Sequence, residues 1–306
     1  MTVLPMQEQM AVSTRTEKTQ RSCNIFSCLP LNCFPLFPSG IAKTHFREYQ
    51  KCDSMLKKQK VDSTVVIFGG SRLREYAVAK ELFNQAQLDY HQKKITLQVL
   101  KATENILKFS KYYDEAVKIG AIVGRNPHFA TICTGGGPGI MEAASKGAYK
   151  VNQKSVSLTI ELPFEQDGNK YCTPSLEYSF KNLSVRKMQL VHRAKAMICF
   201  PGGFGTLDEL FEVLTLIQND KIKHVPIILF GKDFWLKLIN FEFLVERGLI
   251  SPKDLGLFHL VENADEAWET IRDFYSESIT LRADKSIDQI KSEMDKVISS
   301  QTISTF

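Results

Sequence analysis

The sequence has no long apolar run and no excess of charge outside its first 60 residues. No stretch reaches the roughly 18 to 20 apolar residues that a membrane-spanning helix needs, and the N-terminus is polar where a secretory signal would be apolar. We therefore expect no stable membrane insertion and a cytoplasmic location. Residues 1–60 hold nine Lys or Arg and four Asp or Glu, which accounts for the whole net charge of +5. The neutral remainder argues against nucleic acid as a partner.

Several catalytic signatures are also missing. The chain contains no G-x-x-x-x-G-K-[ST], no H-E-x-x-H and no G-x-S-x-G, so P-loop, zinc-peptidase and α/β-hydrolase chemistry have no support. Its six histidines are scattered, and we expect His192 to be packed rather than catalytic. Cys23, Cys28 and Cys33 are five residues apart, which matches no usual zinc spacing. The sequence therefore predicts neither a metal nor a cofactor.

Strands and helices alternate from about residue 61 onward. Apolar runs predict strands near residues 64–68, 129–133, 155–160, 196–200, 226–230 and 258–261, with helical patterns between them. Between the first two strands the periodicity predicts two or three helices, one of them part of an added hairpin. Because this alternation is typical of α/β proteins, we expect a Rossmann-like, doubly wound parallel sheet with helices on both faces.

The chain is expected to have three parts: an N-terminal extension (1–60), partly disordered, a Rossmann-like domain (61–276) and a C-terminal helical tail (277–306). Residues 7–21 are polar and lack a clear apolar period, which favours disorder. Residues 23–38 are apolar, but their prolines exclude a regular helix. We expect this segment to pack on the body or on a partner subunit, with cysteine lipidation and metal binding as the alternatives.

A glycine-rich turn, PGGFGTLDE at residues 201–209, follows one predicted strand and leads into a helical pattern. Such a turn forms an anion cradle, because glycine lets backbone N–H groups approach a ligand and the helix dipole favours negative charge. Glu209 is expected in the first helical turn, where an acid beside a phosphate indicates a separate task. The predicted phosphate-binding residues are Gly202, Gly203, Gly205 and Thr206, the last three through their backbone N–H groups.

Two further predicted strands end in glycine turns. Residues 134–144 read TGGGPGIMEAA, and residues 69–72 read GGSR. Because the carboxyl ends of parallel strands meet at one edge of a sheet, the three turns predict one crevice for a phosphorylated ligand. Glu142 has an equally simple interpretation as an acid that complements its helix dipole. The candidate binding residues in these two turns are Gly135, Gly136, Gly137, Gly139, Glu142, Ser71 and Arg72.

These segments together resemble a known family. SVRKM at residues 184–188, followed by the turn at 201–209 and combined with the turn at 134–144, resembles the LOG (Lonely Guy) family of cytokinin riboside 5′-monophosphate phosphoribohydrolases, some of which carry the older label lysine decarboxylase. The resemblance spans roughly residues 64–275. Plant-type members have Met-His-Glu-Arg-Lys where this chain has LSVRK, which is closer to the longer bacterial members.

The resemblance implies a reaction and a set of residues. Members cleave the N-glycosidic bond of a nucleoside 5′-monophosphate to free base and ribose 5-phosphate, need no metal, and form homodimers or larger homo-oligomers. The catalytic arginine and glutamate of the family correspond to Arg186 and Glu209, and the lysine after that arginine corresponds to Lys187. Purine nucleotides such as AMP are the default substrates. Lysine decarboxylation would need a Schiff-base lysine beside a cofactor site, whereas Lys187 adjoins an arginine and precedes a phosphate cradle.

Several interpretations of these residues stay open at this point. Glycosidic cleavage develops positive charge on the ribose, which Glu209 would stabilise, while Arg186 would hold the phosphate, support the leaving base or orient Glu209. The main alternative is a nucleotide-binding or sensing protein with little turnover, against which the presence of both residues argues. A third hypothesis assigns the function to residues 1–60, as a segment that recruits a membrane or a partner. The plain structural interpretation is that Glu209 complements a helix dipole and that Arg186 and Lys187 lie on a solvated face.

Overall fold

The computed structural model describes residues 40–161 and 169–276. The chain divides into two units, residues 1–43 and 44–306, and every strand lies in the second. The strands are β1 (Thr64–Phe68), β2 (Thr131–Thr134), β3 (Ser155–Ile160), β4 (Glu177–Phe180), β5 (Ala194–Cys199), β6 (Ile227–Phe230) and β7 (Phe258–Val261). The α-helices are α1 (Gly40–Lys58), α2 (Tyr76–His91), α3 (Leu97–Gly124), α4 (Ile140–Lys150), α5 (Leu183–His192), α6 (Phe204–Gln218), α7 (Lys232–Leu238), α8 (Phe241–Glu246) and α9, over residues 264–276. Two short 3-10 helices cover Pro174–Leu176 and Pro252–Leu257.

The seven strands form one sheet in the order β4-β3-β2-β1-β5-β6-β7, and every neighbouring pair is parallel. The chain builds outward from β1 to β4, then returns to place β5 on the other side of β1. The strand order therefore reverses between β1 and β5, and ligands of such sheets bind outside the carboxyl ends of the strands at this point. The predicted α/β fold with a doubly wound parallel sheet is confirmed.

Both faces of the sheet are covered because the strand side chains alternate between two cores. All five residues of β1 are buried. Val65 and Ile67 pack in a core with α3 and α4, whereas Val66 and Phe68 pack in a second core with α1, α5 and α6. Strands buried on both faces read as continuous apolar runs, which is why the sequence reveals them.

The segment between β1 and β2 contains two helices, within the predicted range of two or three. Helix α3 has 28 residues and begins at a capped turn, where the Thr96 side chain accepts a hydrogen bond from Val99 N–H at 3.4 Å. Helix α2 precedes it and buries only Ala79 and Ala86. The C-terminal half of α3 lies against the sheet core, where Ala116 and Ile119 are fully buried.

One strand was not predicted. The edge strand β4 pairs with β3 in the register Ile160↔Phe180, and of its four residues only Phe180 is buried. A four-residue edge strand with one buried side chain has no continuous apolar run, so the sequence gives no signal for it. The ends of three predicted strands also differ from those observed, which are residues 131–134, 194–199 and 227–230.

Helix α1 falls inside the range that we expected to be an extension. Its Cys52 and Leu56 are buried in the second core, so this helix contributes to the same core as β1. The proposed domain limits after residues 60 and 276 are untested and stay predictions. The segments 7–21 and 23–38 and the tail 277–306 lie outside the described residues. Within the described ranges, no helix is both long enough and apolar enough to span a bilayer.

Candidate active site

The turns after β1, β2 and β5 meet in one cleft. Backbone hydrogen bonds join them, because Gly70 N–H donates to Pro201 O at 2.9 Å and Ile140 N–H donates to Gly70 O at 3.3 Å. The cleft has a volume of about 1140 Å³ and is lined by residues of all three turns. The sheet therefore presents the glycine turns to a single ligand-sized space, as the strand pattern predicts.

The turn between β5 and α6 has two glycines whose side-chain positions are open. A Cβ on Gly202 would lie 2.2 Å from Thr206 Oγ1, so packing within the turn already requires glycine there. Among the described residues, a Cβ on Gly203 or Gly205 would meet nothing within 4 Å, although both residues line the cleft. Packing within the described part of the chain therefore gives no steric reason for these two glycines. Close approach of a ligand to the backbone at the start of α6 gives one.

Thr206 corrects one expectation about this turn. Its N–H already donates to Gly203 O at 3.0 Å, which closes the first turn of the helix. This N–H is therefore not free for the phosphate contact that the sequence suggested. Thr206 still lines the cleft, and the group that it can offer to a ligand is its hydroxyl.

The glycines of the turn between β2 and α4 are of two kinds: some line the cleft, and one is required by backbone packing. Gly135, Gly136 and Gly137 line the cleft. Gly139 has a φ of +74°, and a Cβ there would lie 2.3 Å from Gly70 O. Gly139 therefore allows α4 to approach the β1 turn closely, and it does not line the cleft.

Arg186, which lines the cleft, forms an ion pair with Glu209, which is buried next to it and does not itself line the cleft. Asn182 caps α5 by accepting from Ser184 N–H at 3.1 Å, and Arg186 follows on that helix. Arg186 Nη2 lies 3.1 Å from Glu209 Oε1 of α6. The expected position of Glu209 in the first helical turn was wrong, because α6 begins at Phe204 and Glu209 lies in the second turn. Its task is therefore not that of a first-turn acid.

The ion pair is buried and incompletely satisfied. The side chain of Glu209 is 2% exposed and that of Arg186 is 15% exposed. Burial raises the pKa of Glu209, and although the charge and hydrogen bond of Arg186 and the charge of Lys187 oppose it, the net direction is upward. Glu209 Oε2 and Arg186 Nε have no hydrogen-bond partner within the described part of the chain. Arg186 lines the cleft and Glu209 does not, so the unpartnered Glu209 Oε2 lies one side chain away from the ligand space, beside Arg186.

Lys187 has a different environment from its neighbour. Its Nζ lies 2.9 Å from Asp208 Oδ2 and 2.9 Å from Glu212 Oε2, the acids on either side of Glu209 in α6. Burial alone would lower the pKa of Lys187, but the two carboxylates raise it overall. The side chain is 13% exposed and does not line the cleft. Lys187 therefore joins α5 to α6 beside Glu209, and the structure gives no contact between it and the cleft.

The remaining candidate residues also divide into those that line the cleft and those that do not. Ser71 and Arg72 are exposed and line the cleft. Glu142 lies in the first turn of α4, as expected, but it does not line the cleft. Tyr113 Oη donates to Glu142 Oε1 at 3.1 Å, so its observed partner is helix α3. His192 is packed edge-on against Tyr49, with ring centroids 6.0 Å apart.

The acids of α6 near the cleft are paired with cationic side chains of α5. Among the described residues, no group of three or more His, Cys, Asp or Glu side chains could hold a metal ion. Glu209 is paired with Arg186, and the neighbouring acids Asp208 and Glu212 are paired with Lys187. On this side of the cleft, two cationic side chains thus pair with three carboxylates.

Helix α1 braces the helix that carries Arg186. It reaches the first turn of α5, where His45 Nε2 lies 2.8 Å from Asn182 Nδ2, and the last, where Asp53 pairs with Arg193. Two further bonds lie between these ends: Lys181 N–H to Glu48 Oε1 at 2.7 Å, and Gln189 Nε2 to Tyr49 O at 2.9 Å. The position of Arg186 thus depends on a helix outside the glycine motifs.

Sequence reasoning missed several residues that line the cleft. The aromatic side chains of Phe109, from α3, and Phe234, from α7, form part of its wall. Glu161 and Glu177, at the ends of β3 and β4, also line it. Glu161 lies in a segment, residues 160–166, that also resembles the family but was not assigned to the site. No local motif marks the other three positions, because each reaches the cleft through packing of an element that is distant in sequence.

Comparison with known proteins points to one family. The family model described as "Possible lysine decarboxylase" matches residues 141–271. The Arabidopsis thaliana cytokinin riboside 5′-monophosphate phosphoribohydrolase LOG3 is 31% identical over 150 residues, covering 47% of this chain and 67% of the relative. The corresponding LOG1 enzyme of that plant is 28% identical over 191 residues, covering 61% of this chain and 84% of the relative.

Among solved structures, the molybdenum cofactor carrier protein MCP of Chlamydomonas reinhardtii is 14% identical, with 70% of this chain and 99% of that chain covered and a TM-score of 0.42. A likeness at that level carries no functional argument. The sequence matches do, because the LOG3 alignment spans two thirds of that enzyme, and the matched family segment includes Arg186 and Glu209. This chain belongs to the LOG family.

Proposed function

We propose that the protein hydrolyses the N-glycosidic bond of purine nucleoside 5′-monophosphates, AMP or a cytokinin riboside monophosphate, to free base and ribose 5-phosphate. The activity of the relatives LOG3 and LOG1 supports this reaction. The observation that carries it is the buried Arg186–Glu209 pair, which lies beside an open glycine turn and has an unpartnered carboxylate oxygen.

The 5′-phosphate binds at the turn between β5 and α6. Gly203 and Gly205 present backbone to the cleft with no side chain in the way, and the Thr206 hydroxyl lies next to them. The glycines of the β2 turn, with Ser71 and Arg72, line the facing side. Fixing the phosphate, which does not react, positions the ribose over Glu209 and lowers the entropic cost of the reaction.

Glu209 acts on the ribosyl group. The bond from the ribose C1′ to the base nitrogen breaks, a water oxygen bonds to C1′, and a proton from that water ends on the leaving base. The ribose carries positive charge as the bond breaks, so an ionised carboxylate stabilises the transition state and directs the water. Glu209 must therefore be ionised, and Arg186 favours that form against the effect of burial.

Arg186 orients Glu209 in this proposal. Its Nη2 occupies one carboxylate oxygen and leaves the other for substrate or water. Because guanidinium stays charged at any physiological pH, the pair keeps its geometry across the working range. Lys187 acts through the helices rather than on the substrate, since its ammonium is held by Asp208 and Glu212.

We further propose a homodimer that forms through the outer faces of α5 and α6. Phe204 is 92% exposed, and Leu183, Met188 and Phe211 are also exposed. Phe204 and Phe211 line a second groove next to the cleft. Sedimentation of the wild type and of Phe211→Glu tests this assembly, and a monomeric wild type would refute it.

Three buried free cysteines, Cys52, Cys133 and Cys199, favour a reducing cytoplasm.

The proposed reaction is tested by product analysis with a panel of nucleoside 5′-monophosphates. The wild type should release free base and ribose 5-phosphate in equal amounts, Glu209→Gln should release neither, and the control Glu246→Gln, an exposed acid of α8, should behave as wild type. Tight binding of AMP without turnover would refute the hydrolase and favour the nucleotide-sensing alternative.

A further inference from the structure

The cleft has an aromatic wall that none of the glycine motifs supplies. Phe109 and Phe234 both line it, and their rings meet edge to face with centroids 6.1 Å apart. Both side chains are half-buried, so each presents part of its ring to the cleft. Leu73, from the β1 turn, lines the cleft as well.

The wall continues into the core through a chain of rings. Phe109 packs on Tyr112 at 5.5 Å, Tyr112 on Phe230 at 6.2 Å, and Phe230 stacks on Phe200 at 4.3 Å between centroids. Phe200 directly precedes the glycine turn after β5. The aromatic wall and the proposed phosphate turn are therefore joined by packed side chains.

Backbone geometry holds the two ends of the wall together. Gly231 has a φ of +91°, and a Cβ there would lie 2.6 Å from Tyr112 Oη. Glycine at this position lets α3 approach the start of α7, and Phe234 N–H donates to Gly231 O at 3.0 Å. Phe109 and Phe234 are thus held in place by packing against Tyr112 and by the start of α7.

We propose that the wall formed by Phe109, Phe234 and Leu73 binds the base of the nucleotide and determines which bases are accepted. This inference rests on the proposed function. A nucleoside 5′-monophosphate offers three parts, of which the phosphate has the glycine turn and the ribose has Glu209 and Arg186. The base is the remaining part and is itself aromatic, and aromatic side chains bind bases by stacking or edge contact between the rings.

The test separates base binding from phosphate and ribose binding. For wild type, Phe109→Ala, Phe109→Leu and Phe234→Ala, kcat/KM is measured with AMP, and the inhibition constant is measured for ribose 5-phosphate, which has no base. Each alanine variant should lose about tenfold or more in kcat/KM for AMP, with the ribose 5-phosphate constant within about twofold of wild type. Phe109→Leu keeps apolar volume but removes the ring, so its kcat/KM for AMP should lie between those of wild type and Phe109→Ala.

Phe243→Ala is the matched control, because Phe243 is an exposed phenylalanine of α8 that does not line the cleft. Equal losses for AMP and ribose 5-phosphate, or no loss for either, would overturn the proposal. If the wild type shows no turnover, the proposed function has failed, and the same comparison is made by calorimetric binding. A wild type that prefers AMP to ribose 5-phosphate, with the preference lost in Phe109→Ala, then supports the wall. No such preference overturns it.

Discussion

Replacing Arg186 by methionine should make the stability of the protein depend on pH in a specific way. The substitution keeps most of the aliphatic stem but removes the cation that lies 3.1 Å from Glu209 Oε1. Glu209 is only 2% exposed, so its carboxylate loses the partner of Oε1 at a position with little access to bulk water. A carboxylate left in that position is costly, typically about 3–5 kcal/mol for a broken buried pair.

Protonation sets a ceiling on this cost. Glu209 can avoid an unpaired charge by taking up a proton, and the free energy of protonation is about 1.36 kcal/mol for each pH unit above the ordinary pKa of 4.5. That free energy is about 3.4 kcal/mol at pH 7 and about 0.7 kcal/mol at pH 5. The loss of Arg186 raises the pKa of folded Glu209 further above its unfolded value. The folded state then holds more protons than the unfolded state, and stability is lost as the pH rises.

Urea unfolding at pH 5 and pH 7, followed by the fluorescence of buried Trp235, measures the effect. The stability gap between Arg186→Met and wild type should shrink by up to about 2.7 kcal/mol from pH 7 to pH 5. Arg186→Met/Glu209→Gln should recover most of the loss at pH 7, because no buried charge is left unpaired. The control Lys118→Met removes an exposed lysine paired with Glu115 and should cost less than about 1 kcal/mol. A gap that is equal at both pH values, or a double variant no more stable than the single one, would refute the reasoning.

Contacts at and near the cleft lead to three further predictions. Gly203→Ala should leave the melting temperature unchanged and raise KM for AMP about tenfold, whereas Gly202→Ala should lower the melting temperature, because its Cβ would lie 2.2 Å from Thr206 Oγ1; the reverse pattern would contradict the assignment of these glycines. Lys187→Gln should move the acid limb of kcat/KM to higher pH, because the charge of Lys187 lowers the pKa of Glu209; Lys187→Arg should restore it, and an unmoved limb would exclude this positioning role. Burial alone would raise the pKa of Asp53, but Lys57 and Arg193 lower it overall below its ordinary 3.8, so Asp53→Asn should cost about 1–3 kcal/mol in urea unfolding at pH 7. That difference should begin to close as the pH falls below 3.8 and should be lost as the pH passes the lowered pKa. A difference that stays constant as the pH falls would be inconsistent with the ion pair as its source.

The sequence predicts most of the sheet because its central strands are buried on both faces. Strands such as β1 and β6 have no exposed residue, so they read as apolar runs between helical patterns. The edge strand β4 lacks this signal because three of its four residues are not buried. Helix α1 was hidden for a related reason, since it buries Cys52 and Leu56 among many charged and polar residues.

The sequence identified Arg186 and Glu209 through the family resemblance, and it left open whether Arg186 holds the phosphate, supports the leaving base or orients Glu209. Glu209 follows a glycine turn at a set distance along α6, and Arg186 follows the Asn182 cap of α5. Lys187 adjoins Arg186 in sequence but points to Asp208 and Glu212, which a sequence motif cannot show. The roles of these residues in catalysis stay predictions until they are tested.

The glycine motifs and the helices outside them determine different properties of this site. The motifs place the glycine turns and the Arg186–Glu209 pair at the carboxyl edge of the sheet, and under the proposed function these groups carry out the bond cleavage. Helix α1 fixes α5 from one face of the sheet, and α3 brings Phe109 to the cleft from the other. The positions of α1 and α3 are determined by packing against the rest of the fold, and neither helix belongs to the proposed phosphate site. Relatives that share the motifs but differ in these helices should therefore share the reaction and differ in the base that they accept.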